Sequence, residues 1–455
     1  MLLAFPIVAW TWSSSLSAPV ERAMPSMANV RRVMLLGDSI THGGFYEYYL
    51  QLFENLRHPG SLKRYYNAGY SGGTLQTALD NCACEIERVK PDCVFVMYGM
   101  NDVGWTEYGT NEVLSAHELC EASRRESIYR ENLIKLLGEI REGGITNIVL
   151  VTPTPYDEYS KSVAAVRRRN VTEHGLMRLA QTVRNVAKDE GLPVVDLHVL
   201  MLKAIANAPE ERWCGADRVH PGRVGHLFMA FQFLNAFGEK KPVADVALAA
   251  DGSVDRCVNA CVRNVSSDSG GLAFDYEPAA LPLPNLPEYK RLTELHPEMR
   301  GFNCERLSVR GLADEKWRLL IDGREIGAFS AQQLADGVNL ADFDTPNRRE
   351  AEKAGVAMFA LHDFDKPRRC RACARLRYEE LGAKLGDRES VRKAAEKNLA
   401  ELKAKNSPWY ESNKITARLM IDAVGKEQEI AAEEERLYSC IAEVRPHQYR
   451  VGICR

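Results

Sequence analysis

Four short segments bring together residue types that can carry out acyl transfer: Gly37-Asp38-Ser39-Ile40, Asn67-Ala68-Gly69, Gly99-Met100-Asn101-Asp102 and Asp217-Arg218-Val219-His220. Ser39 supplies a hydroxyl, a weak nucleophile at neutral pH until a base takes its proton. His220 is the candidate base. Asp217, three residues earlier, can accept from one imidazole nitrogen while the other faces Ser39. Pro221 suits the first turn of a helix, which puts Asp217 and His220 on the loop leading into it. An oxyanion needs fixed donors, and the candidates are the backbone N–H groups of Ser39 and Gly69 and the side-chain amide of Asn101. Taken singly, Ser39 and Asp217 also read as helix caps, Gly69 as a turn glycine and Asn101 as a loop-end residue.

Residues so far apart meet only if regular elements converge on them. Apolar runs alternate with amphipathic stretches from about residue 31 to 240. The strand-like segments are 33–36, 65–67, 93–98, 148–152 and 194–196. The helix-like ones are 46–56, 74–89, 128–142 and 173–190, with a last one after Pro221. Leu133, Leu136, Leu137 and Ile140 recur at helical spacing and make one buried face. Such alternation predicts a parallel sheet covered on both sides, with ligands beyond the carboxyl ends of the strands. Ser39 follows the first strand, Gly69 the second and Asn101 the third.

In this order the four blocks resemble the SGNH (GDSL-type) hydrolases over roughly residues 31–240. The resemblance implies an α/β fold: a three-layer α/β/α sandwich around a central parallel sheet, flavodoxin-like. It assigns Ser39 as nucleophile, His220 as base with Asp217 behind it, and Ser39, Gly69 and Asn101 as the oxyanion hole. It implies a serine esterase working through an acyl-enzyme. Family breadth puts a carbohydrate O-acetyl or other acyl ester first as substrate. Lysophospholipase, thioesterase and acyltransferase activities use the same triad. A reading from another class is a non-catalytic binding or assembly protein that uses residues 241–455. Asp38 and Asp102 are expected to hold turns through side-chain-to-backbone hydrogen bonds. His42 reads as a pocket wall, and Trp105, Tyr108 and Tyr156 as either substrate-pocket or core residues.

After residue 240 the pattern changes. Residues 241–346 read as a β-rich accessory region, with a proline-rich connector at 281–287 and a hairpin at 317–329 turned by Asp322-Gly323. Residues 347–455 read as a charged helical region. The hydrolase region is expected over 29–240. Residues 1–28 read as a leader, either a secretory signal or a stretch before a later start. Leu2 to Trp12 is apolar, but no Lys or Arg precedes Arg22. The compartment therefore stays open between cytoplasmic and exported.

A net charge of −3 gives no electrostatic reason to expect nucleic acid as a partner. No apolar run approaches the roughly 18 residues that span a bilayer. The partner expected is a small-molecule or carbohydrate ester. Twelve cysteines include Cys370-Arg371-Ala372-Cys373, a lone C-x-x-C without a second pair. It reads as a local disulfide or two free thiols more readily than as zinc. No metal-ligand spacing and no phosphate loop is present in the sequence, so no cofactor is expected.

Overall fold

A strand that is apolar along its whole length belongs in a sheet covered on both faces, and Cys93–Met97 is buried at every position. The computed structural model describes residues 24–455 except 112, 161–167, 240 and 408. Residues 1–23 of the expected leader lie outside the described residues, whereas Met24 and Met27, also assigned to it, pack against the core of the parallel sheet. In chain order the first half forms β1 (Arg32–Gly37), α1 (Ser39–Gly43), α2 (Tyr46–Arg57), β2 (Arg64–Gly69), α3 (Leu75–Val89) and β3 (Cys93–Met97). Then follow α4 (Ala116–Glu142), β4 (Ile148–Val151), α5 (Met177–Glu190), β5 (Val194–Val195), α6 (Leu197–Asn207) and α7 (Arg223–Ala236). The five strands are parallel in the order β2-β1-β3-β4-β5, with helices on both faces. This is the three-layer α/β/α sandwich. Gly37 pairs with Gly69 on one side and Met97 on the other, so the three strands end side by side.

Two helices differ from the sequence reading. Helix α4 starts at Ala116, not near 128, because Ser115 and Glu118 form a reciprocal capping box ahead of the buried stripe. Asp196, read as the end of a strand, is instead the N-cap of α6, a helix the reading did not include.

The second half forms β6 (Ala244–Ala249), β7 (Val254–Val258), β8 (Ala260–Asp268), β9 (Gly271–Pro278), α8 (Pro287–Leu295) and β10 (Glu305–Arg310). These are followed by β11 (Lys316–Ile321), β12 (Arg324–Ser330), α9 (Ala331–Asp336) and β13 (Val338–Asn339). The β11–β12 hairpin turns through Asp322 and Gly323, both at positive φ, as a type I′ turn requires. Helices α10 (Pro346–Glu380), α11 (Arg388–Ala404), α12 (Tyr410–Ala423) and α13 (Glu427–Ala442) lead to β14 (Tyr449–Cys454). Strand β14 was not expected in a helical region. It alternates buried Tyr449, Val451 and Ile453 with outward residues and sits between β9 and β11.

Sheets β13-β10-β6-β7 and β12-β11-β14-β9-β8 share one core that includes Val246, Val309, Phe274, Leu319 and Val451. Helices α10 and α13 take another course. Ala351, Met358, Leu361 and Ile441 are buried in the same core as the parallel sheet.

Candidate active site

The turn from β1 into α1 needs glycine at position 37. A Cβ there would lie 2.1 Å from Thr41 Oγ1 and 2.9 Å from the Met97 carbonyl oxygen. Asp38 then caps α1, its Oδ1 accepting from the Ile40 N–H at 2.9 Å. Burial pushes the Asp38 carboxyl up to about 6. Ser39 is the first residue of α1, so its own N–H has no partner within the helix.

The loop carrying Asp217 and His220 is closed at its base. Cys214 and Pro221 form a bridge, the Gly215 N–H donates to His220 O at 2.7 Å, and the Gly222 N–H donates to Trp213 O at 2.9 Å. Arg218 adopts φ +65° at the tip, a conformation costing a non-glycine residue on the order of 1–3 kcal/mol. Its buried guanidinium holds the loop by donating from Nη1 to Asp157 O at 2.9 Å and Ser160 O at 3.0 Å. Asp217 Oδ1 accepts from the N–H groups of Val219 and His220, and its Oδ2 stands 2.6 Å from His220 Nδ1. His220 Nε2 stands 2.8 Å from Ser39 Oγ.

An ionised carboxylate can only accept. Nδ1 therefore carries the proton toward Asp217, and Nε2 is left to accept from the Ser39 hydroxyl. The charges agree with this. Hydrogen bonding to Asp217 raises the His220 pKa against the opposing effect of burial. Burial alone would raise the Asp217 carboxyl, but the bonds from His220 and two backbone N–H groups outweigh it and hold it well below the usual range.

The expected oxyanion donors fare differently. Asn101 donates one amide hydrogen to Gly73 O at 2.9 Å, which orients the amide and leaves its second hydrogen available. Gly69 needs correction. Its single N–H donates to Asn67 Oδ1 at 2.9 Å, a local side-chain turn, and is not left for a substrate oxyanion. The glycine is required there by packing, since a Cβ would lie 2.2 Å from the His42 backbone nitrogen. Buried Asn67 also donates to Thr41 O and Glu47, latching the end of β2 to α1 and α2.

Three residues on, Gly72 has φ +73°, open space where a Cβ would stand, and an N–H that makes no hydrogen bond among the described residues. It adjoins Gly73, to which the Asn101 amide is bonded. The signal for it was present as the last glycine of Asn67-Ala68-Gly69-Tyr70-Ser71-Gly72.

Asp102 Oδ1 accepts from the Leu75 N–H at 2.9 Å, and burial pushes its carboxyl up to about 7. His42 is kept neutral, burial pushing its pKa down to about 4. Tyr108 and Tyr156 are buried in the core, 5% and 1% exposed, and Trp105 is partly buried and stacks on Tyr156.

Comparison with known proteins adds the family. A model of the GDSL-like Lipase/Acylhydrolase family matches residues 35–227. Those residues are a GDSL-like lipase/acylhydrolase domain. An acetylxylan esterase of Geobacillus stearothermophilus is 26% identical over 226 residues, covering 46% of this chain and 94% of that protein. The solved structure of a gut microbial diltiazem-metabolizing enzyme is similar over 96% of this chain and 99% of its own, with TM-score 0.84 and 25% identity. The chain is accordingly a hydrolase acting on ester bonds.

Helix α10, outside the matched residues, packs against the GDSL-like domain at the end of α1 and the end of β2. His362 Nε2 donates to Gly43 O at 3.1 Å, and its ring stacks on Phe45 at 4.1 Å. Arg368 donates to Asn67 O at 3.0 Å, and Cys373 Sγ accepts from the Ser71 N–H at 3.4 Å. Cys373 and Cys370 are free thiols, as are the other ten cysteines. Among the described residues no helix is long and apolar enough to cross a membrane.

Proposed function

We propose that the chain is a serine esterase acting through an acyl-enzyme, with Ser39 as nucleophile, His220 as general base and acid, and Asp217 as its orienting carboxylate. The observation that carries this is the continuous relay of 2.8 Å from Ser39 Oγ to His220 Nε2 and 2.6 Å from His220 Nδ1 to Asp217 Oδ2. As Ser39 Oγ bonds to the ester carbonyl carbon, its proton passes to His220 Nε2. Asp217 stabilises the imidazolium that forms. The Ser39 and Gly72 N–H groups and the Asn101 amide stabilise the oxyanion. His220 gives its proton to the leaving alkoxide, then takes one from the water attacking the acyl carbon and returns it to Ser39 Oγ as the acid is released.

The substrate class we propose is an O-acyl ester of a carbohydrate, supported by the 26% identity to an acetylxylan esterase across 94% of that protein. Esters of small, drug-like alcohols form a second class. The near whole-chain likeness to a diltiazem-metabolizing enzyme favours it. A fluorophosphonate probe labelling Ser39, followed by turnover of acetylated xylo-oligosaccharides and of acetates of bulky alcohols, tests both levels. No labelling at Ser39 would remove the mechanism. Labelling with turnover of neither ester class would remove only the substrate assignment.

A further inference from the structure

Helices α3 and α10 to α13 line an open cavity of about 560 Å³ whose lining includes none of Ser39, Asp217 and His220. That volume falls within the range of small-molecule sites. Leu385, Val391, Met420, Val424 and Ile430 give it an apolar wall. Facing them, α10 presents Arg368, Arg371 and Arg375, which share one helix face by their spacing. Two of the three have carboxylate partners, although Asp365 is shared between Arg368 and the buried Arg369. Arg368 pairs with Asp365, and Arg375 with Glu379 and Asn81. Arg371 makes no hydrogen bond or ion pair among the described residues, although it is half-buried. Glu427 also lines the cavity, but it accepts from the Gly425 N–H and lies beyond ion-pair distance of Arg371.

Burial and the neighbouring Arg368 push the Arg371 guanidinium down from its ordinary value. A half-buried cation without an acceptor is costly, and a guanidinium fork matches a carboxylate in shape and charge. Arg371 alone of the three lacks a direct acceptor, which suits one carboxylate, and most of the opposite wall is hydrocarbon, with Glu427 and the Arg64-paired Glu434 on its α13 side. We propose that this cavity binds an aliphatic monocarboxylate, its head group on Arg371 and its chain along Leu385, Val391, Met420, Val424 and Ile430.

Titration calorimetry of the full chain with hexanoate, octanoate and decanoate tests the site. Affinity should rise about threefold to fourfold per added methylene. Arg371→Gln should weaken decanoate at least about tenfold, while 1-decanol should bind both proteins equally and more weakly. Val424→Asp, which places a charge on the apolar wall, should weaken decanoate as well. Circular dichroism establishes that each variant is folded. Wild-type affinity for decanoate in either folded variant overturns the site. So does an affinity that does not grow with chain length in the unsubstituted protein. Both readouts are independent of ester turnover, and neither substituted residue lies beside Ser39.

Discussion

His220 Nε2 meets Ser39 Oγ at 2.8 Å although 181 residues separate the two in the chain. Asp217, only three residues from His220, meets the other imidazole nitrogen at 2.6 Å. One contact is local and the other depends on the whole parallel sheet. The consequences of the two can be separated by substitution.

Ser39→Ala and His220→Ala should each lower kcat by on the order of ten-thousandfold or more, with the double variant little worse than either. Steady-state turnover of an activated ester, with circular dichroism to verify the fold, measures this. Retention of more than about a tenth of the activity by Ser39→Ala would exceed what loss of a triad member allows.

Only a neutral His220 can accept the Ser39 proton, so kcat/KM should rise with pH through the His220 ionisation. Because the bond to Asp217 raises that pKa, the midpoint should lie above that of an unpaired histidine. Asp217→Asn removes the negative charge. It should lower activity throughout and move any remaining midpoint downward. A pH profile with an unshifted midpoint would leave Asp217 as a loop cap alone.

Gly69 and Gly72 should respond differently to alanine. At Gly69 a Cβ would collide with backbone atoms of Thr41 and His42 at 2.6 and 2.2 Å, so Gly69→Ala should cost about 1–3 kcal/mol or more of stability. At Gly72 the Cβ meets open space and only the left-handed backbone is strained, a cost of roughly 1–2 kcal/mol. Its N–H survives, so turnover should persist. Urea unfolding of both variants decides the order, and a Gly69→Ala protein as stable as wild type would contradict the packing role.

In the proposed mechanism, Asn101→Ala removes one oxyanion donor and spares the nucleophile and base. Turnover should fall about a hundredfold to a thousandfold, with KM little changed, because the amide stabilises charge that develops only in the transition state. Losing its bond to Gly73 O should cost stability only about 1 kcal/mol. A variant that mainly raises KM would move Asn101 into ground-state substrate binding.

The sequence by itself determined what short-range physics controls. Alternating apolar and amphipathic runs were enough for the parallel α/β/α fold, because burial on one face or two writes its period into the chain. The Asp322-Gly323 turn was legible because its positive φ angles demand those residue types. The loop from Asp217 to Pro221 was legible as a carboxylate and an imidazole at a spacing that lets them meet. Tertiary structure decided whatever depends on partners distant in the chain. Gly69 and Gly72 look alike as letters, yet one N–H is taken by Asn67 and the other is not. Strand β14 has a strand's alternation, but its partners β9 and β11 lie more than a hundred residues earlier. Helix α10 carries a charged sequence with no mark of the loops it meets. It reaches Gly43, Asn67 and Ser71 only because its buried face completes the core beneath the parallel sheet. Each backbone donor has one proton to give and each apolar face one surface to bury. Which partner takes it is settled by the assembled fold.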